Sequence, residues 1–333
     1  MRKFLCNLLV AVFAVAGASA SALAEELVVY TSMKASLMEK LKEDFERIHP
    51  GVALSYQSAG AGKIMARLAA EREDGQNLAD VLWTSEVSDF YALKNDGLLE
   101  PYTPKDIKMA INPFPDYDGS FTAVRLGTLG IAYNTDLIKN APVSWQDLAG
   151  PDYKGAFGMA DPAQSGTAYM SLALLVSKFG WEYFEKLAAN GLRIIPDSKQ
   201  VIADVAEGKL AACLAVDYIA RDLMAKGAPL NLVYPPQMLV VPSPVAVLKN
   251  SPNPGPARAF VDYLLSRDAQ SIIAGEGTLP VRPDVRLPER YELPLPISAM
   301  QRSIPINYAR MNAGKADILV KYKRVTSLPA PLP

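Results

Sequence analysis

The residues best suited to hold an anion lie between positions 161 and 169. Ser165-Gly166-Thr167 directly precedes an apolar, helical stretch at residues 170–176. The first N–H groups of a helix have no intrahelical acceptor, and the helix dipole adds about half a positive charge at the same point. Two hydroxyls and these N–H groups predict an anion site. The alternative is an ordinary N-cap, since Ser and Thr are preferred capping residues.

A second glycine-rich turn, Ser58-Ala59-Gly60-Ala61-Gly62-Lys63, also precedes a helical stretch. Its glycines let the backbone approach a ligand closely, and the helix start favours negative charge. Ile64 follows the lysine, so the hydroxyl that holds magnesium in a phosphate loop is missing, and a nucleotide hydrolase is excluded. The remaining interpretations are an anion-holding turn and a plain tight turn.

Five predicted strands end on hydroxyl, glycine or amide-type residues. In open α/β sheets ligands bind outside the carboxyl ends of the strands, so these ends together predict a binding cleft. Asp217 as an N-cap and Tyr218 as a core residue stay open as alternatives. The candidate ligand-binding residues are Ser32, Ser58, Gly60, Gly62, Ser85, Ser165, Gly166, Thr167, Asp217, Tyr218 and Gln237.

The sequence does not favour catalysis. His49 is the only histidine and lies in a helix-stopping turn before Pro50, which argues against a Ser-His-Asp relay or a histidine-rich metal site. Cys213 lies in an apolar stretch and is interpreted as a buried structural cysteine. We therefore predict a binding protein that is not an enzyme and uses no cofactor.

The elements that must position these residues alternate along the chain. Strands at residues 27–30, 52–57 and 79–83 are each followed by a helical pattern, which predicts a mainly parallel α/β sheet with helices on both faces. Two further strands differ from the rest. Residues 121–133 are interrupted by Gly127 and Gly130, and residues 238–248 carry Pro242 and Pro244, which suit an edge or crossover strand.

The first 24 residues are typical of an export signal. Arg2 and Lys3 precede an apolar run at residues 4–15, and Ala22-Leu23-Ala24 forms a small-residue cleavage site. The run is shorter than the roughly 20 residues that span a bilayer, so we predict a mature protein that begins near Glu25, lies in the periplasm and does not insert stably into a membrane.

The mature chain would carry a formal net charge of −3, from 32 basic and 35 acidic residues, where the whole chain carries −1. This charge balance lacks the excess of basic residues that is typical of nucleic-acid-binding proteins. Cys213 would be its only cysteine, so no intrachain disulfide is possible and the core must hold the fold alone. A chain of this length is expected to divide into two lobes.

In order and spacing, several segments resemble the periplasmic solute-binding proteins of ABC importers, nearest to the ferric-ion, phosphonate and sugar-phosphate binders. The segments are residues 28–32, 79–86, 161–169, 242–246 and 260–266. The resemblance implies a type II fold of two lobes joined by crossing hinge strands that closes over its ligand. Lobe 1 is expected at residues 25–123 and 240–290, and lobe 2 at residues 124–239 and 291–333. The resemblance also implies that the protein is a monomer and that its partner is an inner-membrane permease.

The ligand implied by the resemblance depends on one position. Ferric-ion binders of this group commonly carry two adjacent tyrosines where this chain has Asp217-Tyr218-Ile219, and many carry a histidine where it has Ser32-Met33-Lys34. A small phosphate- or phosphonate-bearing anion is therefore expected, with Asp217 near its far end. Ferric ion, held by Tyr218 and Glu86, is the first alternative. A thiamine ligand and a secreted enzyme on the same scaffold are the others.

Overall fold

In the computed structural model, which describes residues 24–115 and 117–327, eleven strands form one continuous sheet. Residues 1–23 of the expected signal peptide lie outside this range. The main path of the sheet runs β2-β1-β3-β10-β5-β8-β6-β7. The strands are β1 Glu25–Thr31, β2 Val52–Ser58, β3 Val81–Trp83, β4 Leu99–Glu100, β5 Thr122–Asn134, β6 Phe157–Ala160, β7 Arg193–Ile195, β8 Ala212–Val216, β9 Leu230–Val233, β10 Leu239–Leu248 and β11 Leu279–Pro280.

Helices follow most of these strands and cover the sheet. They are α1 Ala35–Ile48, α2 Ala61–Glu73, α3 Val87–Asn95, α4 Gly166–Phe179, α5 Trp181–Ala189, α6 Ser198–Ala206, α7 Asp217–Ala225, α8 Pro254–Leu264, α9 Arg267–Gly275, α10 Pro296–Arg302, α11 Tyr308–Ala313 and α12 Lys315–Thr326. Within the described ranges, no helix combines the length and the apolar character needed to cross a membrane.

Each end of the sheet is a group of parallel strands. β1 pairs in parallel with β2 and β3, and β6 pairs in parallel with β7 and β8. The helix α1 shows how the sequence builds this arrangement, because Leu37, Leu41 and Phe45 recur on one face and are all buried. The strand–helix alternation predicted from the sequence is confirmed on both sides. We call the β1–β3 side the first lobe and the β6–β8 side the second.

Two long, wholly buried strands, β5 and β10, run antiparallel to each other and join the lobes. β10 pairs with β5 through Leu239 to Val245 and with β3 through Val245 to Val247. Its prolines are tolerated in this central position because the register shifts between Ser243 and Pro244, where the ladder is already interrupted. These are the crossing strands expected of the two-lobe fold.

The C-terminal helices contact both lobes. The Tyr308 ring stacks on Tyr91 of α3 at 6.4 Å, whereas the Tyr322 ring meets Phe184 of α5 at 5.8 Å. The hydroxyl of Tyr169 on α4 donates to the carbonyl of Met311 at 2.9 Å. The exact lobe boundaries, and the assignment of residues 291–333 to the second lobe, therefore stay predictions.

Candidate functional site

A cavity of about 350 Å³ lies between the lobes, at the carboxyl ends of the strands. Its position agrees with the rule for ligand sites in open α/β sheets. Of the eleven candidate residues, the structure brings eight together around this cavity: Ser32, Ser58, Gly60, Ser85, Ser165, Gly166, Thr167 and Tyr218. The role of each as a ligand contact stays a prediction.

The start of α4 forms one wall of the cavity. Ser165 is its N-cap, and the Oγ accepts a hydrogen bond from the Ala168 N–H at 3.3 Å. The same Oγ lies 3.1 Å from the hydroxyl oxygens of Thr167 and Ser198. Ser165 is therefore a cap and also a cavity residue, while the N–H groups of Gly166 and Thr167 occupy the first turn, where no intrahelical acceptor exists.

The start of α2, in the first lobe, faces the start of α4 across the cavity. Gly60 is the N-cap, with φ −60° and ψ 146°, and no side chain caps this helix. A Cβ at Gly60 would lie 2.7 Å from the Gln164 carbonyl oxygen. Gly62 does not line the cavity, and a Cβ there would lie 2.8 Å from the Ala163 carbonyl oxygen. The two glycines thus let the lobes approach each other.

The third helix start at the cavity, that of α6, already has an anion. Asp197 is its N-cap, and one carboxylate oxygen accepts from the N–H groups of Lys199 and Gln200 at 2.9 Å each. A ligand anion would compete there with the Asp197 charge. The starts of α2 and α4 carry no such carboxylate cap. Residues 197–199 were missed in the sequence because an Asp-Ser helix start is so common.

Two buried cations that line the cavity, Lys34 and Arg125, were not among the candidate residues. Lys34 is 7% exposed and forms ion pairs of 2.9 Å with both Asp222 and Glu276. Burial alone would lower its pKa, but hydrogen bonds to Glu276 and Asp222 outweigh burial and raise it. Arg125 is 1% exposed. The signal for it was present in the sequence, since Arg125 is the only charged residue in the strand Thr122–Asn134.

Both cations contact Tyr218. The Lys34 Nζ lies 4.8 Å and the Arg125 Cζ 4.6 Å from the centre of its ring. Cations over an aromatic face are attracted by the quadrupole of the ring. The side chain of Tyr218 is therefore both core, as the alternative interpretation had it, and part of the cavity wall.

Besides Gly62, three residues named from the sequence do not line the cavity. Asp217 is fully buried behind it, where it accepts hydrogen bonds from Thr128 and, at 3.1 Å, from the Tyr234 hydroxyl. Burial raises the pKa of Asp217, although the hydrogen bond from Thr128 opposes the shift. Gln237 uses its carbonyl to accept from the Trp145 Nε1 at 2.8 Å.

The third of these residues is Glu86. It is buried, and its carboxylate pairs with Lys315 at 3.4 Å. Burial, followed by the charge of Asp89, raises its pKa. Within the described residues, no group of three or more His, Cys, Asp or Glu side chains is placed to hold a metal ion. Glu86 and Tyr218, the two residues expected to hold a ferric ion, therefore do not share one site, since only Tyr218 lines the cavity.

Two lobes joined by two crossing strands, with a cavity between them, define the class of two-lobe binding proteins. Residues 76–312 match the family model described as bacterial extracellular solute-binding protein. The chain belongs to this family.

Three similar proteins agree with this assignment. An uncharacterized protein of Haemophilus influenzae is 32% identical over 268 residues, which cover 75% of this chain and 76% of the relative. A putative 2-aminoethylphosphonate-binding periplasmic protein of Salmonella paratyphi A is 27% identical over 247 residues, 71% of each chain. The solved periplasmic binding protein AfuA of Actinobacillus pleuropneumoniae, with exogenous fructose-6-phosphate bound, is 25% identical, with a TM-score of 0.80 and coverage of 92% of this chain and 99% of AfuA.

Proposed function

We propose that this solute-binding protein captures a small phosphate- or phosphonate-bearing compound by lobe closure and delivers it to an inner-membrane ABC permease. The observation that carries the proposal is the meeting of two helix starts, α2 and α4, at one cavity from opposite lobes. Their N–H groups, with the hydroxyls of Ser165 and Thr167, supply directed donors on both sides of a single anion. A tetrahedral oxyanion matches such a donor set.

The names of two relatives support the same ligand class. One is described as a 2-aminoethylphosphonate binder and the other holds fructose-6-phosphate. Both ligands share a tetrahedral phosphorus oxyanion and differ in the group at the other end. The α2 and α4 starts therefore suit what the two ligands have in common, while residues 197–199 lie at the same cavity and suit a polar far end.

The charges at the cavity disfavour a ferric ion and thiamine. Ferric iron needs several hard anionic oxygens, yet Tyr218 is flanked by Lys34 and Arg125. Lys34 is neutralised by Asp222 and Glu276, but the charge of Arg125 would repel a metal ion or a thiazolium ring. Asp197 is the only carboxylate side chain lining the cavity in the described structure, and it spends one oxygen on capping α6.

The proposal also covers the localisation, oligomeric state and cofactor use of the protein. Residues 1–24 would direct export to the periplasm, where the mature protein would act as a monomer without a cofactor. Enzymatic activity is not part of the proposed role, because the cavity brings no histidine or free cysteine to the donors. Cys213 is buried in β8, and His49 lies beyond the end of α1.

A ligand screen by thermal unfolding and calorimetry tests the proposal. Ligands would be inorganic phosphate, fructose 6-phosphate, 2-aminoethylphosphonate, thiamine and ferric citrate. A ligand at 100 times its Kd should add about 2.7 kcal/mol to the stability of the folded state, enough for a shift of roughly 5–10 °C. We expect shifts with the phosphorus compounds alone. A shift confined to ferric citrate, with a visible tyrosinate band, would overturn the proposal.

A further inference from the structure

The most unusual charge in the molecule is the guanidinium of Arg125 in β5. It is 1% exposed and is among the largest fully buried side chains. Its Nε donates to the Ser243 Oγ at 3.2 Å, but its Nη1 has no hydrogen-bond partner. Among the described residues, no carboxylate lies within 4.0 Å of it in an ion pair. An unpaired buried charge is costly, so its retention calls for a partner.

Its neighbours hold the guanidinium in one orientation. Ser243, which accepts from the Nε, is itself 3.0 Å from the Ser85 Oγ on the cavity wall. The ring of Tyr218 lies 4.6 Å from the Cζ. The Nη2 occupies space that only a glycine leaves open, because a Cβ at Gly127 would lie 2.5 Å from it. Such preorganisation lowers the entropy cost of pairing with a ligand.

The buried Asp217 interacts with this charge but forms no hydrogen bond with it. The positive charge of Arg125 lowers the pKa of Asp217, against the larger effect of burial, but the hydrogen bonds to Asp217 come from Thr128, Tyr234 and the Tyr218 N–H. Lys34, the other buried cation at the cavity, already has Asp222 and Glu276. The Arg125 Nη1 is therefore the buried cationic donor at the cavity that is left without a partner.

We propose that Arg125 pairs directly with the anionic group of the ligand and is the residue that makes the cavity select anionic over neutral and cationic solutes. This inference rests on the proposed function. The helix starts supply directed hydrogen bonds that a neutral hydroxyl compound can also accept, whereas a desolvated guanidinium discriminates by charge. Arg125 acts on specificity, and the two helix starts act on orientation.

The test compares Arg125→Met and Arg125→Lys with the wild type, using fructose 6-phosphate, fructose and inorganic phosphate as probes in calorimetry. Arg125→Met should weaken fructose 6-phosphate at least 100-fold while leaving the weak binding of fructose unchanged. Arg125→Lys keeps the charge but loses the planar fork, so it should retain part of the affinity, about 10-fold below wild type. Arg286→Met, which removes an exposed arginine elsewhere, is the matched control.

A second measurement separates pairing from a merely structural role. Without ligand, Arg125→Met should melt at or above the wild-type temperature, because an unpaired buried charge is replaced by an apolar chain. Binding of fructose 6-phosphate by Arg125→Met at wild-type affinity would overturn the inference alone. If the wild type binds none of the phosphorus compounds, the proposed function fails, and this inference fails with it.

Discussion

The substitution Gly62→Ala should act in opposite directions on the empty and the ligand-bound protein. Gly62 lies in the first turn of α2, where alanine is favoured over glycine by up to about 1 kcal/mol. In this structure its new Cβ would lie 2.8 Å from the Ala163 carbonyl oxygen, on the opposite lobe. Ordinary contacts are roughly 3.5 Å, so the lobes must separate by about 0.7 Å.

That separation acts on the site itself, because α2 and the segment before α4 carry the donors on either side of the cavity. A hydrogen bond to a charged group contributes about 1.5–3 kcal/mol, and weakening one or two of them partially would cost about the same amount. The Kd should therefore rise roughly 10- to 100-fold. The melting temperature without ligand should stay constant or rise slightly.

Calorimetry and thermal unfolding with and without ligand measure both effects. Gly51→Ala is the matched control, since a Cβ at Gly51 meets nothing within 4 Å. It should leave the Kd unchanged. A Gly62→Ala protein that binds ligand as tightly as the wild type would refute the idea that the glycines of α2 exist for lobe closure, and would return them to the role of a plain tight turn.

Three further outcomes follow from single side chains. Burial favours the neutral form of Glu276, but hydrogen bonds from Lys40 and Lys34 lower its pKa to about 2, so its contribution is present above about pH 4.5 and lost as the pH falls from there toward 2. Glu276→Gln should remove about 2 kcal/mol at pH 7 and little at pH 2, as urea unfolding would show, with equal losses at both pH values counting against it. The pKa of Glu86 is raised, so this carboxylate weakens the fold as the pH rises through its pKa; the melting temperature of Glu86→Gln relative to wild type should therefore increase with pH, and a decrease would contradict the reasoning. Ser165→Ala should cost about 1 kcal/mol of stability as a lost cap and, in addition, about 10-fold in ligand affinity by calorimetry, whereas an unchanged Kd would leave Ser165 as a cap alone.

Most of the fold was predictable from the sequence because its helices and strands have strong local patterns. The strands predicted at residues 27–30 and 52–57 lie within β1 and β2, and the one predicted at residues 79–83 contains β3. The glycine-broken and proline-bearing strands were correctly interpreted as crossings. The C-terminal part is less regular, since residues 296–326 form three separate helices, α10, α11 and α12. Pro305 lies between the first two and Gly314 between the last two, so local signals do mark those breaks.

The residues of the candidate site were predictable only where they lie at the end of a strand. Ser58, Ser85 and Ser165 follow strands, so position alone brought them together. Arg125 lies inside a strand, and the sequence does not say whether such an arginine faces a cavity or an ion-pair partner. For Asp217 the rule fails in the opposite direction. It lies at a strand end and was expected at the ligand, yet its side chain accepts hydrogen bonds from Thr128 and Tyr234.

The net charge of the protein then explains why the position of Arg125 matters. A chain with 34 basic and 35 acidic residues gives no long-range attraction for an anion. Affinity for a phosphorus oxyanion must arise within the cavity, from helix starts that carry partial charge and from a cation shielded from water. The exposed Lys63, which also lines the cavity, is screened by salt, whereas the buried charge of Arg125 acts in a low-dielectric setting. A nearly neutral protein can therefore bind an anion strongly without a net positive charge.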